Sequence, residues 1–321
     1  MNTYKTQSAQ EILNKKIEPA PAVSEPLLSK GEALMLWAES GVGKSLFTLH
    51  WMLALSSGKT FGPWKTSSPQ IVCYLDMEMS ASEIHGRILQ CSKNTYCSKA
   101  GLNNFHVISN AFQNNQKHDD ERFDLNDSSS IEQLVSTLKR IKADYVVIDN
   151  LTTASDSIVS ENDAAAMKSV LKNIKGIVNE GFGLILIHHS TKANGSYRGS
   201  GSLEAIFHTV IRAESIKNDD GPCLDVVARK SRNGRFRVGD KWRWTFSSNT
   251  WSETESEDIA RMSHILSTLE KGGFKSQKEL ASALGVSAVQ ISRDKNSLID
   301  RGVITKEQWD SHFKAASREG N

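Results

Sequence analysis

The chain lacks the marks of a metal-stapled, secreted or membrane-embedded protein. Its four cysteines, Cys73, Cys91, Cys97 and Cys223, form no CxxC pair and no Cys/His ligand spacing. That pattern argues against a structural zinc site and fits buried thiols in a reducing cytoplasm. No run approaches the roughly 20 apolar residues that cross a bilayer, and the N-terminus has no basic-then-apolar leader pattern. A cytoplasmic protein with no membrane partner is expected. An excess of one charge is missing as well. With 39 Lys and Arg against 37 Asp and Glu, the formal net charge is +2. This is too small for global attraction to nucleic acid, so any polyanion site must be a local cluster. No internal repeat is visible.

What is present is enough apolar sequence for a large core. Hydrophobic residues make up 38% of 321 positions, a length that suggests about two domains. Residues 1–28 include "IEPAPAVSEP", a proline-rich tract expected to lack regular structure, with a short helix in "SAQEILNKKI"; together they read as a flexible arm. From residue 29 to 250, apolar runs alternate with helical ones. "EALMLW", "QIVCYLDME", "FHVIS", "DYVVIDN" and "GLILIHH" read as strands. Ile131, Leu134, Val135, Leu138 and Ile141 share one helical face, and Met167, Val170, Leu171, Ile174 and Val178 another. Near-continuous apolar strands separated by helices predict an α/β fold whose parallel sheet is covered on both faces. "HTVIRAES", "CLDVVARK", "RFRVG" and "WRWTFS" then read as an antiparallel extension, with turns at Asp219-Asp220-Gly221 and Asn233-Gly234.

The acidic stretch "SSNTWSETESEDIA" marks a linker, placed at residues 251–257. Residues 258–321 form a small helical domain. Leu280 and Leu284, a Gly285 turn, then Val289, Ile291 and Leu298 predict a helix-turn-helix, with "VITKEQW" supplying the wing strand of a winged helix.

The chemistry concentrates in "WAESGVGKSLF". A strand, a glycine loop and a helix in that order turn backbone N–H groups inward around phosphates. Glu39, Ser40, Gly41, Val42, Gly43, Lys44, Ser45 and Leu46 would cradle the nucleotide, with Lys44 on the β and γ phosphates and Ser45 on Mg²⁺. Ala38 stands where this pattern usually opens with glycine, and a small residue there is tolerable. Asp149 ends the strand "YVVIDN" at the same sheet edge, where a carboxylate can hold the water shell of Mg²⁺. In "YLDMEMS", Asp76 and Glu78 both point toward that edge, and Glu78 is the better placed to polarise an attacking water.

These motifs resemble the RecA-like ring ATPases, in particular the hexameric replicative helicases of the DnaB and plasmid RepA type. The likeness covers roughly residues 26 to 250. It implies a RecA-like P-loop fold using ATP and Mg²⁺, with Glu78 as the catalytic glutamate and His189, in "LILIHHSTK", as a phosphate sensor; His188 beside it is the alternative. "YRGSGSLEAIFHTVIRA" resembles a further segment of these helicases. "ARKSRNGR" resembles their Lys-x-Arg-Asn-Gly hairpin, which implies that Lys230 and Arg232 reach across to a neighbouring subunit's γ-phosphate. No helicase-type N-terminal collar domain precedes the motifs.

In such a family the loops after the Asp149 and His189 strands face the central channel. The second, "STKANGSYRGSGS", carries Lys192, Tyr197 and Arg198, suited to phosphate contact and base stacking. Arg293 and Lys295 on the third C-terminal helix, with Arg301 near its end, are candidates for duplex DNA or a replication partner. The expectation is a homo-oligomeric, hexameric ATPase that moves on single-stranded DNA in plasmid or phage replication. The rival is an ATP-switched DNA-binding regulator or helicase loader that does not unwind.

Overall fold

The computed structural model describes residues 5–112, 123–155, 164–189, 202–218, 221–254, 257–300 and 303–318. Two compact units emerge, Met1–Glu253 and Thr254–Asn321. The first begins with α1 (Ala9–Leu13), β1 (Ala22–Glu25), β2 (Leu28–Ser29), β3 (Ala33–Ala38), α2 (Lys44–Ser56), β4 (Lys65–Thr66) and β5 (Val72–Asp76). It continues with α3 (Ala81–Cys91), α4 (Lys99–Asn103), β6 (Phe105–Ser109), α5 (Ser128–Ile141), β7 (Tyr145–Asp149), α6 (Ala164–Asn179) and β8 (Gly183–His189). Then come α7 (Ser202–Ile206), β9 (Thr209–Ile216), β10 (Cys223–Ser231), β11 (Lys241–Ser247) and β12 (Thr250–Thr254). The second unit holds α8 (Glu257–Lys271), α9 (Gln277–Ala283), α10 (Ala288–Asp300) and α11 (Lys306–Arg318).

The main sheet has nine strands in the order β12-β11-β10-β9-β3-β8-β7-β5-β6. Strands β9, β3, β8, β7, β5 and β6 run parallel, while β10 pairs antiparallel with β9 and β11. All six residues of β3 are buried, as expected for a strand covered on both faces. Leu34, Leu36 and Ala38 pack on the α2 side; Ala33, Met35 and Trp37 pack with Ile131, Leu134 and Leu138 of α5 and Met167, Val170 and Ile174 of α6. Helix α2 is apolar nearly all round because a second layer covers its back. Phe47 meets Phe61, Trp64, Trp244 and Trp251 edge-on at 5.1–5.7 Å between ring centres, the preferred geometry for aromatic pairs.

Five local expectations are corrected. The short helix in the arm forms, with Ser8 and Glu11 capping each other, but the second half of the proline tract beyond it is ordered from Ala22 on. Strand β1 pairs with β2 and β4 in a small sheet, Val23, Leu27 and Leu28 are buried under α2, and Trp51 Nε1 donates to Ser24 Oγ at 3.0 Å. "RFRVG" is not a strand. Arg235 is drawn into an ion pair with Glu32, Asn233 donates to the same carboxylate at 2.8 Å, and both leave the ladder. The expected linker is sheet as far as Thr254: Ser248 and Asn249 turn with positive φ, and β12 buries Trp251.

The wing strand is also absent among the described residues of the second unit. Thr305 and Gln308 cap each other to start α11, and the helical spacing of Trp309 and Phe313 brings both rings onto the core formed by Ile265, Leu280, Ile291 and Leu298. The helix-turn-helix itself forms as α9 and α10 around Gly285 at φ +66°. Val289, expected inside, is 62% exposed.

Candidate nucleotide site

Strand β3 delivers its last residue, Ala38, wholly buried and paired in register with His189 of β8. Ala38 lies in ordinary strand backbone, so this position needs a small residue but not a glycine. The left-handed backbone falls further on, at Gly41 (φ +78°) and Gly43 (φ +99°), where a Cβ would be strained. Gly43 is also the N-cap of α2, so the loop amides and the positive end of the helix face the same point.

Lys44 opens α2 and is 4% exposed. Its Nζ donates to the carbonyls of Ala38 at 3.1 Å and Glu39 at 2.6 Å. Burial pushes its pKa down to about 8, opposed by the charges of Asp149, Glu78 and Glu39. Asp149, at the end of β7, is 4% exposed and accepts from Tyr74 Oη at 2.6 Å. Burial pushes its carboxyl up to about 6, against hydrogen bonds from Tyr74 and Ser45.

Asp76 and Glu78 part company. Asp76 is paired in register with Asp149, but it turns back to accept the backbone N–H groups of Glu78 at 3.0 Å and Met79 at 2.8 Å. It closes the turn after β5, and burial raises its pKa. Glu78 lies beyond the strand end and accepts from Asn150 Nδ2 at 2.6 Å. Asn150 Nδ2 also faces His189 Nε2 at 3.0 Å, and His189 Nδ1 lies 3.2 Å from Lys44 Nζ. Lys44, His189, Asn150 and Glu78 thus form one continuous polar chain across the carboxyl ends of β3, β8, β7 and β5, the edge where ligands bind in open parallel sheets.

Asn150 was not among the sequence candidates. It follows Asp149 directly, and the signal that could have found it is a second polar residue at the end of an otherwise apolar strand. His188, the alternative to His189, is fully buried in β8.

Lys230 and Arg232 do not join this chain. Lys230 Nζ donates to the carbonyl of Glu204 and Arg232 to that of Ala205 at 2.6 Å, so both cations sit at the C-terminal end of α7, where positive charge is favourable. Lys192, Tyr197, Arg198 and Arg301 lie outside the described residues. Arg293 is exposed on α10. Lys295, expected at a DNA surface, is folded onto its own unit, 5.7 Å from the Trp309 ring and 3.4 Å from Asp310.

The residues fit ATP and Mg²⁺. Glycine-loop amides and Lys44 supply donors for phosphate oxygens, and Ser45 with Asp149 offers the hard oxygen ligands that Mg²⁺ takes. A divalent cation would also favour the ionised form of Asp149. Without it, the raised pKa means the folded state holds this proton more tightly than the unfolded chain does. The ionised carboxylate therefore opposes folding above about pH 6, and the opposition fades as pH falls from there toward the ordinary 3.8. Asp149→Asn should accordingly stabilise the nucleotide-free protein at pH 8, on the order of 1–3 kcal/mol, with a smaller gain at pH 5. Thermal melts at the two pH values check this, and a lower Tm at pH 8 would contradict it.

The glycine loop, its sheet-edge carboxylates and the strand order define a RecA-like P-loop ATPase fold. A family model described as an AAA domain matches residues 3–195, and the chain belongs to that family. Among solved structures it is similar to a KaiC-like protein from the hyperthermophilic archaeon Pyrococcus horikoshii OT3. That likeness has 14% identity and a TM-score of 0.54, and covers 74% of this chain and 100% of the other. No curated protein matches the chain. Among the described residues, no helix is long and apolar enough to cross a membrane.

Proposed function

We propose that this protein hydrolyses ATP with Mg²⁺ as a homo-oligomeric ring, hexameric by analogy with the helicases its motifs resemble, and uses the cycle to move along single-stranded DNA in plasmid or phage replication. The observation that carries the ATPase reading is the polar chain from Lys44 through His189 and Asn150 to Glu78. It sets a phosphate-binding cation and a candidate base on either side of one histidine. In this reading Lys44 and the loop amides hold the phosphates, Ser45 and Asp149 hold Mg²⁺, Glu78 takes the proton of the attacking water, and His189 senses the γ-phosphate.

The ring rests on Lys230 and Arg232. Their side chains are held on α7 in the single chain, so a role at a phosphate calls for a neighbour's site. Lys192 and Arg198 are the proposed contacts to single-stranded DNA, and the exposed Arg293 the proposed contact to duplex DNA or a replication partner. Mass measurement with and without ATP and single-stranded DNA tests the assembly. Growth to a discrete oligomer with ATP is expected; a monomer under all conditions would remove the ring.

A role across the subunit boundary makes a sharper forecast. Arg232→Ala protein should be inactive alone yet keep Lys44 and Glu78 for a neighbour, so mixing it with Lys44→Ala protein should restore part of the ATPase activity. Co-assembly without any restored phosphate release would place Arg232 outside the reaction.

The fold also moves the boundary for a truncation test. A chain ending at Thr254 retains β12 and Trp251, whose ring packs on Phe47 at 5.5 Å and lies 3.8 Å from where a Cβ on Gly43 would sit. It should stay folded and keep basal ATP hydrolysis, since each unit has its own core. It should lose binding to duplex DNA. Loss of hydrolysis and assembly together would make the second unit part of the ring interface.

A further inference from the structure

The side chain of Asn150 is 1% exposed, and its orientation is set by what surrounds it. Oδ1 accepts the backbone N–H of Thr153 at 3.2 Å, and the Asn150 backbone N–H in turn donates to Thr153 Oγ1 at 3.3 Å. With the oxygen committed to that turn, the amide nitrogen must face the site, where its two hydrogens are aimed at Glu78 Oε1 at 2.6 Å and His189 Nε2 at 3.0 Å. An amide N–H can only donate, and the same holds for the Lys44 ammonium 3.2 Å from His189 Nδ1, so a neutral imidazole can accept from only one of its two neighbours.

We infer that Asn150 is a positioning residue that holds Glu78 in the orientation from which it acts. This rests on the ATPase reading above and adds to it a residue that joins the two functional side chains. The carboxylate of a glutamate beyond a strand end has several rotamers open to it. One buried donor, itself locked by Thr153, selects among them and lowers the cost of reaching the productive geometry. The same lock ties Glu78 to the turn that leads from β7 into the following loop.

Substitution separates positioning from plain fold support. Asn150→Asp keeps the oxygen that accepts from Thr153 and the shape of the side chain, but it replaces both donors with an acceptor facing Glu78. Asn150→Asp also buries a new charge beside Glu78 and Asp149, so it is the combination with Glu78→Gln that separates positioning from fold support. Positioning predicts that kcat for ATP falls by at least about 10-fold in Asn150→Ala and further in Asn150→Asp, within the range that general-base catalysis supplies. Binding of a fluorescent ATP analogue should stay within about twofold, because the Lys44 contacts are untouched.

The second arm uses Glu78→Gln, with phosphate release followed in single-turnover mode. In that background Asn150→Ala should add less than about twofold, since the group it acts through is already lost. An equal loss from Asn150→Ala in both backgrounds, or a wild-type kcat in Asn150→Asp, would overturn the inference. Failure of the underlying reading looks different: Glu78→Gln itself would turn over ATP at the wild-type rate, and the role of Asn150 would fall with it.

Discussion

Lys44→Ala protein should release no phosphate from ATP above background while melting at the same temperature as the parent or higher. The first half follows from the loss of the only lysine that the glycine loop aims at its own centre. The second follows from burial: Lys44 is 4% exposed, and its pKa is pushed down to about 8 by that burial. At neutral pH the folded state therefore carries the charge at a cost, and the penalty is relieved as pH rises from 8 toward the ordinary 10.5. Removing the side chain forfeits hydrogen bonds to the carbonyls of Ala38 and Glu39, but it also removes the desolvated ammonium. Phosphate release and a circular dichroism melt measured on the same preparation check both halves. An unfolded variant, or one that still hydrolyses ATP, would contradict the role given to Lys44.

Glu78→Gln should bind ATP with near-normal affinity and turn it over at least ~10²-fold more slowly, as expected for losing a general base. The amide keeps the size of the side chain, and its oxygen can still accept from Asn150 Nδ2, so the architecture of the site is preserved while its proton acceptor is gone. Asp76 is a poor substitute, because its carboxylate is occupied by the backbone N–H groups of Glu78 and Met79. Asp76→Asn keeps the Oδ1 that accepts both N–H groups and removes a carboxylate whose pKa burial raises, so it should fold at least as stably as the parent and change the rate per folded molecule little. Near-normal turnover by Glu78→Gln, with activity abolished in a folded Asp76→Asn, would exchange the two roles.

The parallel sheet and its nucleotide edge were legible because they depend on local signals. Apolar runs such as "YVVIDN" and "GLILIHH" can hardly be anything but buried strands, and Gly41 and Gly43 stand where left-handed backbone is needed. The ordering of Ala22–Ser29 was not legible, because it depends on Trp51 and the aromatic layer over α2, which the chain assembles from residues far apart in sequence. The same holds for "RFRVG", pulled out of strand pairing by Glu32 some two hundred residues earlier.

At the site, the glycine-loop and strand-end patterns pointed to Lys44, Asp149 and Glu78, and the family resemblance pointed to His189, but neither showed how they connect. The two roles open to Asp76 and Glu78 separate only when the turn after β5 is seen to consume one of the two carboxylates. Asn150 was hidden for a related reason: asparagine at a strand end reads as a turn residue, and here it is one through Oδ1 while its nitrogen serves the site. Lys295 shows the converse. A lysine on a helix-turn-helix invites a DNA role, yet Trp309 and Asp310 of its own unit hold it.

The central claim is that ATP turnover at this site drives movement on DNA, and strand displacement tests it most directly. The full chain, given Mg²⁺ and ATP, should release the labelled strand of a forked duplex, and Lys44→Ala protein should not. Robust ATP hydrolysis stimulated by single-stranded DNA with no strand release would contradict the account and leave an ATP-switched regulator or loader in its place.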